Sequence, residues 1–248
     1  MKERPIIFNA DMVRAVLDGR KTQTRRIMRV QPDSAEFETR FIIDSTKRSE
    51  IGKWCWAEPG VFVNPRRSAL FSCPFGAVGD RLWVRETFAT LGNEDGCAID
   101  WDDNLVKGGG REAAHIYRAS CEQRPRNYGL WSIPDDAFWK PHTDNMQYEG
   151  AWVPSIHMPR WASRITLEVT GVRVERLRDI SEKDAAAEGV PPAGDLLPDY
   201  PGTYLTSKGD FATAKVAFQR LWESIYKEES WQANPWVWVV EFKRVEGE

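Results

Sequence analysis

The apolar residues of this chain keep two rhythms, one helical and one strand-like, and the places where each starts and stops outline a fold. Met12, Val13, Val16 and Leu17 recur at the three-and-four spacing of a single helix face. Asn9 precedes them, where a short polar side chain can accept from an early backbone N–H. Gly19 follows, where a helix readily stops. The pattern predicts a short amphipathic helix over 9–18, then a loop, then a strand in TRRIMRV. After the turn expected at Gly79-Asp80, Leu82 and Val84 alternate with Trp83 and Arg85, which predicts a second strand. In ITLEVTGVRVERL the inward set Ile165, Leu167, Val169 shifts phase to Val172 and Val174, so a strand with a bulge or bend at Gly171 is expected.

The segment ISEKDAAAEGV then reads as a helix. Ser181 is its N-cap, Asp184 stands where a capping box has its acid, Ile180 and Ala185 form the staple, and Gly189 ends it. A loop rich in Pro and Gly runs to about Asp210. Phe218, Leu221, Trp222 and Ile225 mark a longer amphipathic helix. Asn234-Pro235 turns the chain into a final strand, WVWVVEF, from Trp236. Residues 31–78 show no clear period, and 91–160 is polar, aromatic and rich in Gly and Pro. Both read as elaborations rather than as a second periodic core. Strands on both flanks with three helices between them predict an α+β fold around a small mixed sheet or barrel.

Composition narrows the function classes. At 248 residues the chain can bury a full core, and 42% hydrophobic with 29% charged residues is ordinary for a globular protein. The net charge of −3 argues against a basic nucleic-acid coat. Net charge hides a local asymmetry, however. Lys2, Arg4, Arg14, Arg20, Lys21, Arg25, Arg26 and Arg29 face only Glu3, Asp11 and Asp18 over the first thirty residues, which points to a positive patch and an anionic partner. No apolar run approaches a membrane span, and Asn9 and Asp11 interrupt the apolar start as no signal peptide would, so a cytoplasmic protein with no membrane partner is expected. Cys55, Cys73, Cys97 and Cys121 form no CxxC pair and are expected as free thiols. Together with His115, His142 and His157 they show no metal-ligand spacing.

The chemistry-bearing stretch is GRKTQTRR, beginning at Gly19. A lysine and a hydroxyl three residues apart on a tight loop, Lys21 and Thr24, can face one cavity. Lysine is a poor base at its ordinary pKa of about 10.4, but burial and the neighbouring Arg20, Arg25 and Arg26 can lower it. A lysine so tuned can deprotonate the Thr24 hydroxyl. From spacing alone, the same residues also make a solvated basic turn after a helix.

GRKTQTRR, with the short helix before it, resembles the signature of the ASCH family, whose fold is a small β-barrel related to the PUA RNA-binding domain. GDRLWV resembles the family's Gly-Asp strand start, ITLEVTGV its central strand, ISEKDAAAEG the helix after that strand, and WVVEF its closing strand. The longer RPIIFNADMVRAVLDGRKTQTRR, GDRLWVRETF and IHMPRWASRI resemble a larger ASCH-like group of bacteriophages and prophages that is often labelled morphogenetic. The resemblance implies one ASCH-like domain over 1–248, a PUA-like barrel with surrounding short helices, and long insertions at about 31–78, 87–160 and 190–210. It implies an amidohydrolase that converts an N4-acylated cytidine nucleoside, such as N4-acetylcytidine, to cytidine and acetate, without metal or organic cofactor. The family's catalytic Lys, Thr and Glu fall on Lys21, Thr24 and Glu188.

Several roles stay open at this level. Lys21 is a base, an electrostatic stabiliser or a surface phosphate contact. Thr24 is a nucleophile or a hydroxyl capping a loop amide. Glu188 protonates the leaving amine, or is an exposed glutamate at a helix end, where a negative charge meets the wrong end of the dipole. A close Glu188 carboxylate would also raise the pKa of Lys21, against the tuning that a base needs. In that case Lys21 would stay charged and stabilise the oxyanion. Arg20, Arg26, Glu86 and Trp83 are the expected substrate-binding residues. Glu86 also reads as an arginine's salt-bridge partner, and Trp83, like Trp161 and Phe88, as a stacking platform or simply core. His157 reads as structural or as a substrate contact. The expected partner is a modified nucleoside or RNA bearing one. The alternatives are a non-catalytic RNA-binding module, or a phage assembly or host-interaction protein.

Overall fold

A computed structural model of the chain describes residues 1–61, 65–92, 97–121 and 152–245, Cys121 without its side chain. The elements are β1 (Glu3–Ile7), α1 (Ala10–Leu17), β2 (Gln23–Ile27), β3 (Glu38–Phe41), β4 (Trp54–Ala57), β5 (Arg81–Arg85), β6 (Phe88–Thr90), β7 (His115–Tyr117) and α2 (Arg118–Cys121). Then come β8 (Thr166–Arg176), α3 (Glu182–Ala187), β9 (Tyr204–Leu205), β10 (Phe211–Ala212), α4 (Ala214–Tyr226), α5 (Glu228–Gln232) and β11 (Trp236–Arg244). The class is α+β, as expected. No helix among the described residues is long and apolar enough to cross a membrane.

The chain divides into two compact units, each built from separated segments. Unit 1 takes Met1–Lys2, Arg20–Asp80 and Glu168–Lys243, and unit 2 takes Glu3–Gly19 and Arg81–Leu167 with the last described residues.

In unit 1, β11 lies between β8 and β2 in an open order, and no closed barrel is formed among the described strands. The β2–β11 pairing is antiparallel, with Val237 opposite Ile27, Val239 opposite Arg25 and Glu241 opposite Gln23. Directly paired residues share a face and neighbours alternate. Val237, Val239, Arg25 and Gln23 therefore stand on one face, and Trp238, Val240, Arg26 and Thr24 on the other.

The first face is roofed by helices. Val237 and Val239 are packed in one buried cluster with Leu177, Ile180, Ala185, Phe218 and Trp222. α4 turns Ala217, Phe218 and Trp222 inward as its periodicity predicts, but Ile225 is 43% exposed because the helix ends one residue later. α3 begins as expected: the Ser181 hydroxyl accepts from the Asp184 N–H at 3.1 Å.

The second face is aromatic. Trp238 meets Trp54 edge-on at 5.5 Å and Phe71 at 6.0 Å between ring centroids, and Trp236 meets Trp56 at 5.1 Å. The expected insertion over 31–78 thus supplies packing partners, with β3 and β4 forming an antiparallel hairpin inside it. The four-residue length of these strands left no period to read. The expected loop over 190–210 carries a one-turn helix at Gly194–Leu196 and β9, which pairs with β10.

β8 is the strand expected over ITLEVTGVRVERL. It runs as one strand from Thr166 to Arg176, with Gly171 inside it. A Cβ at Gly171 would lie 2.5 Å from Glu241 Oε2, so the glycine is there to let that carboxylate lie across the strand.

In unit 2, β1 pairs in parallel with β5, and Leu82 and Val84 are buried as their alternation predicts. Asn9 caps α1, accepting from the Met12 N–H at 2.9 Å. β6 and β7 pair antiparallel, and Ala89, Leu91, Ile99, Ala114, Ile116 and Trp152 make a small buried cluster. Part of the expected insertion over 87–160 is therefore packed. The rest of that span, with His142, lies outside the described residues.

The aromatic face and the helix cap give contrasting expectations for stability. Trp238→Ala should cost about 3–5 kcal/mol, whereas Ser181→Ala should cost about 1 kcal/mol. Urea titrations followed by circular dichroism measure both.

Candidate active site

Lys21 and Glu188 are 167 positions apart, and the fold brings them together. Two chain features make this possible. Lys21 forms an antiparallel bridge to Glu188 just before β2 begins, and the Thr22 N–H donates to the Ala187 carbonyl at 2.9 Å. The end of α3 is thus stitched to the outer edge of β2. Glu188 is the C-cap of α3, and Gly189, at φ +91°, turns the chain away.

The Lys21 ammonium donates to the Glu188 carbonyl at 2.8 Å and to Glu188 Oε2 at 3.0 Å. Arg20 donates to the Gly189 carbonyl at 2.9 Å. Helix C-termini leave carbonyls without partners and favour nearby cations, so both side chains satisfy the end of α3. This answers the misfit of a glutamate at that position. The exposed-glutamate alternative is overturned, since the Glu188 side chain is 3% exposed and that of Lys21 is 0% exposed.

Arg25 completes the cluster. One of its guanidinium nitrogens donates to Glu188 Oε1 at 3.1 Å, and the other to Glu175 Oε2 at 2.9 Å and Asp184 Oδ2 at 3.5 Å. Arg173 on β8 reaches Glu175, Asp184 and Glu241. The cluster therefore runs from fully buried Lys21 and Arg25 to half-exposed Glu241. In the sequence Arg25 reads only as a nearby cation and Asp184 only as a helix-capping acid, while Arg173, Glu175 and Glu241 carry no role. A usable signal was present: Asp184 and Glu188 stand at i and i+4 on α3, while Arg173 and Glu175 share one face of β8.

Thr24 is buried and on β2, opposite Val240, so its side chain leaves the strand on the aromatic face, away from Arg25. Arg26 shares that face. Burial pushes the pKa of Lys21 down from the ordinary lysine value. Glu188 pulls it back up, and Arg26 and Arg25 push it down further. The influence of Arg26 as well as Arg25 fits a Lys21 side chain at the strand edge, within electrostatic reach of both faces.

Glu86 and Trp83 belong to unit 2. Glu86 is 2% exposed, and both carboxylate oxygens are taken by Arg164, at 2.9 and 3.0 Å. The Arg164 guanidinium lies 4.1 Å from the centroid of the Tyr117 ring. Trp83 is half-buried beneath the Arg85 guanidinium, 5.6 Å from the ring centroid. His157 ends a one-turn helix and is exposed, Trp161 is 43% exposed, and Phe88 is core. Cys55, Cys73 and Cys97 are free thiols. Among the described residues no group of three or more His, Cys, Asp or Glu is placed to hold a metal.

No protein-family model matches the chain, no curated protein matches its sequence, and no solved structure matches its fold. The coordinates therefore define the class: an α+β protein with a buried lysine–carboxylate–arginine cluster at a strand edge.

The depressed pKa of Lys21 makes a signed prediction. The native state holds this proton less tightly than the unfolded chain does. Between the lowered native value and the ordinary value of about 10.4, raising the pH therefore favours folding. The stability gap between the unmodified protein and Lys21→Met should move in favour of the unmodified protein as pH rises from 7 toward 10, as read by urea unfolding. Glu188→Gln at neutral pH, which strips a buried cation of its charged partner, should cost about 3–5 kcal/mol in the same measurement.

Proposed function

We propose that the protein is an amidohydrolase of the ASCH type acting on an N4-acylated cytidine nucleoside. The observation that carries this reading is the 3.0 Å contact between Lys21 Nζ and Glu188 Oε2, made between buried groups far apart in the chain. These are the two positions that the family resemblance nominates as base and acid. Their contact gives a proton a direct path from one to the other.

The neutral Lys21 amine takes a proton from the attacking hydroxyl. Thr24 supplies that hydroxyl, or anchors the water that does. The acyl carbon becomes tetrahedral, the proton passes to Glu188, and Glu188 delivers it to N4 as the C–N bond breaks. Where water attacks, the products are cytidine and acetate directly. Where Thr24 attacks, cytidine leaves first and a water deprotonated by Lys21 then hydrolyses the acetyl-Thr24 ester to acetate, the proton returning to the Thr24 oxygen. A lysine with a lowered pKa suits the base role better than that of a permanently charged oxyanion partner. Arg26, on the face of β2 that carries Thr24, is placed to hold the electron-rich carbonyl of the substrate. The mechanism draws on unit 1 alone. The finer fold expectation, a small PUA-like barrel, belongs to the same proposal, and the open β8–β11–β2 order with α3 beside it is the part that supports it.

The test is incubation with N4-acetylcytidine, with cytidine followed by chromatography. Turnover by the unmodified protein is expected, with losses of at least about 10²-fold in Lys21→Met and Glu188→Gln. An acetyl mass gain on Thr24 in a quenched single turnover would mark it as the nucleophile. If neither the nucleoside nor acetylated RNA is hydrolysed, the enzymatic reading fails. Salt-sensitive RNA binding by the same inactive sample would favour the non-catalytic PUA-like module.

A further inference from the structure

We infer that Arg25 is a positioning residue that keeps Glu188 from acting as a full counter-ion to Lys21, and so keeps Lys21 available as a base. This rests on the reading above and deepens it.

The difficulty is electrostatic. A carboxylate at hydrogen-bond distance from an ammonium favours the charged ammonium, yet a base must give its proton up. The structure divides the Glu188 carboxylate between two cations. Oε2 meets Lys21 at 3.0 Å and Oε1 meets Arg25 at 3.1 Å. Arginine stays protonated throughout the working range, so its claim on Glu188 is constant. Lys21 thus shares the Glu188 carboxylate with a second cation. Arg25 in turn is fixed from behind, because Glu175 and Asp184 hold its other nitrogen and Arg173 ties those two acids together. The side chain is 0% exposed, so water does not screen the arrangement.

The charged groups around Lys21 come from every element packed on it. Arg20 flanks it in the loop, Arg25 and Arg26 lie on β2, and Glu188 lies at the end of α3 with Asp184 one turn earlier. Glu175 and Arg173 on β8 and Glu241 on β11 lie beyond. Arg25 is the member of this set that touches the same carboxylate as Lys21. Arg26 lowers the Lys21 pKa through its charge, and Arg20 donates to the Gly189 carbonyl. Removing Arg25 therefore has a particular consequence. Glu188 becomes a full counter-ion, and Lys21 holds its proton to higher pH.

The experiment uses the full chain and has two arms. In the first, NMR titration of the Lys21 side chain compares the unmodified protein, Arg25→Gln and Arg25→Lys, with no substrate present. The midpoint is expected to move up in Arg25→Gln, and to move up less in Arg25→Lys, which keeps the charge but not the two-pronged reach. In the second, the rate of N4-acetylcytidine hydrolysis is followed against pH. The acid limb should shift to higher pH in Arg25→Gln. The neutral-pH rate should fall by up to about 10²-fold and recover in alkaline buffer. A merely structural arginine would lower the rate evenly at all pH values and leave the Lys21 midpoint in place. If Arg25→Gln does not fold, Arg25→Lys is read in the same way. An unchanged or lowered Lys21 midpoint overturns the inference whether or not the protein is an enzyme. A raised midpoint in a protein without turnover upholds the electrostatic role and rejects the amidohydrolase reading alone.

Discussion

An ammonium group taken out of water must be compensated where it lands, and that requirement organises unit 1. The Lys21 side chain has no exposure at all, and the end of α3 answers it with a carbonyl and a carboxylate from the same residue. To bring Glu188 there, α3 must stop at that residue, and Gly189 must turn the chain in the left-handed region. To hold it there, the loop before β2 must bond to the last turn of the helix through Thr22 and Arg20. Desolvation of the pair and its reward come as one unit: losing either member leaves the other as an uncompensated charge.

β2 then works as a partition. Its pleat sends Gln23 and Arg25 toward the helices and Thr24 and Arg26 toward the tryptophans. The two sides differ in kind. The helix side pairs an apolar cluster around Trp222 with a charged cluster around Arg25, while the other side is dominated by large aromatic rings. Polar chemistry and stacking surface are separated by the thickness of one strand, and Lys21 sits at the edge where that separation ends.

Much of this was legible in the residues, and the limits of legibility have physical causes. α1, α3, α4, β5, β8 and β11 follow from periodicity and from the caps Asn9 and Ser181, because local spacing determines them. Glu188 could be nominated as catalytic only through resemblance, since its one local mark, a charge at the unfavourable end of α3, does not say what it meets. The role of Arg25 was hidden for the same reason: three acceptors from β8 and α3 converge on it, and no single segment shows more than one side of that meeting. β3, β4, β6 and β7 were missed because strands of three or four residues complete too few alternations to register. Gly171 shows how one residue can answer to local and distant demands. The phase shift around it points to a bulge or bend, whereas the close approach of the Glu241 carboxylate, which also calls for a glycine there, comes from a distant strand.

The interleaving of the two units bears on how the chain is made. β2 leaves the ribosome long before β11, which pairs with it. Until then the β2 backbone has an unmatched side, and until α3 emerges Lys21 lacks Glu188, so unit 1 cannot close before both are made. A nascent chain stalled in the long middle stretch would carry an orphaned strand edge, the kind of surface that recruits chaperones or aggregates. Its assembly is therefore dominated by pairings distant in the chain and slow for that reason.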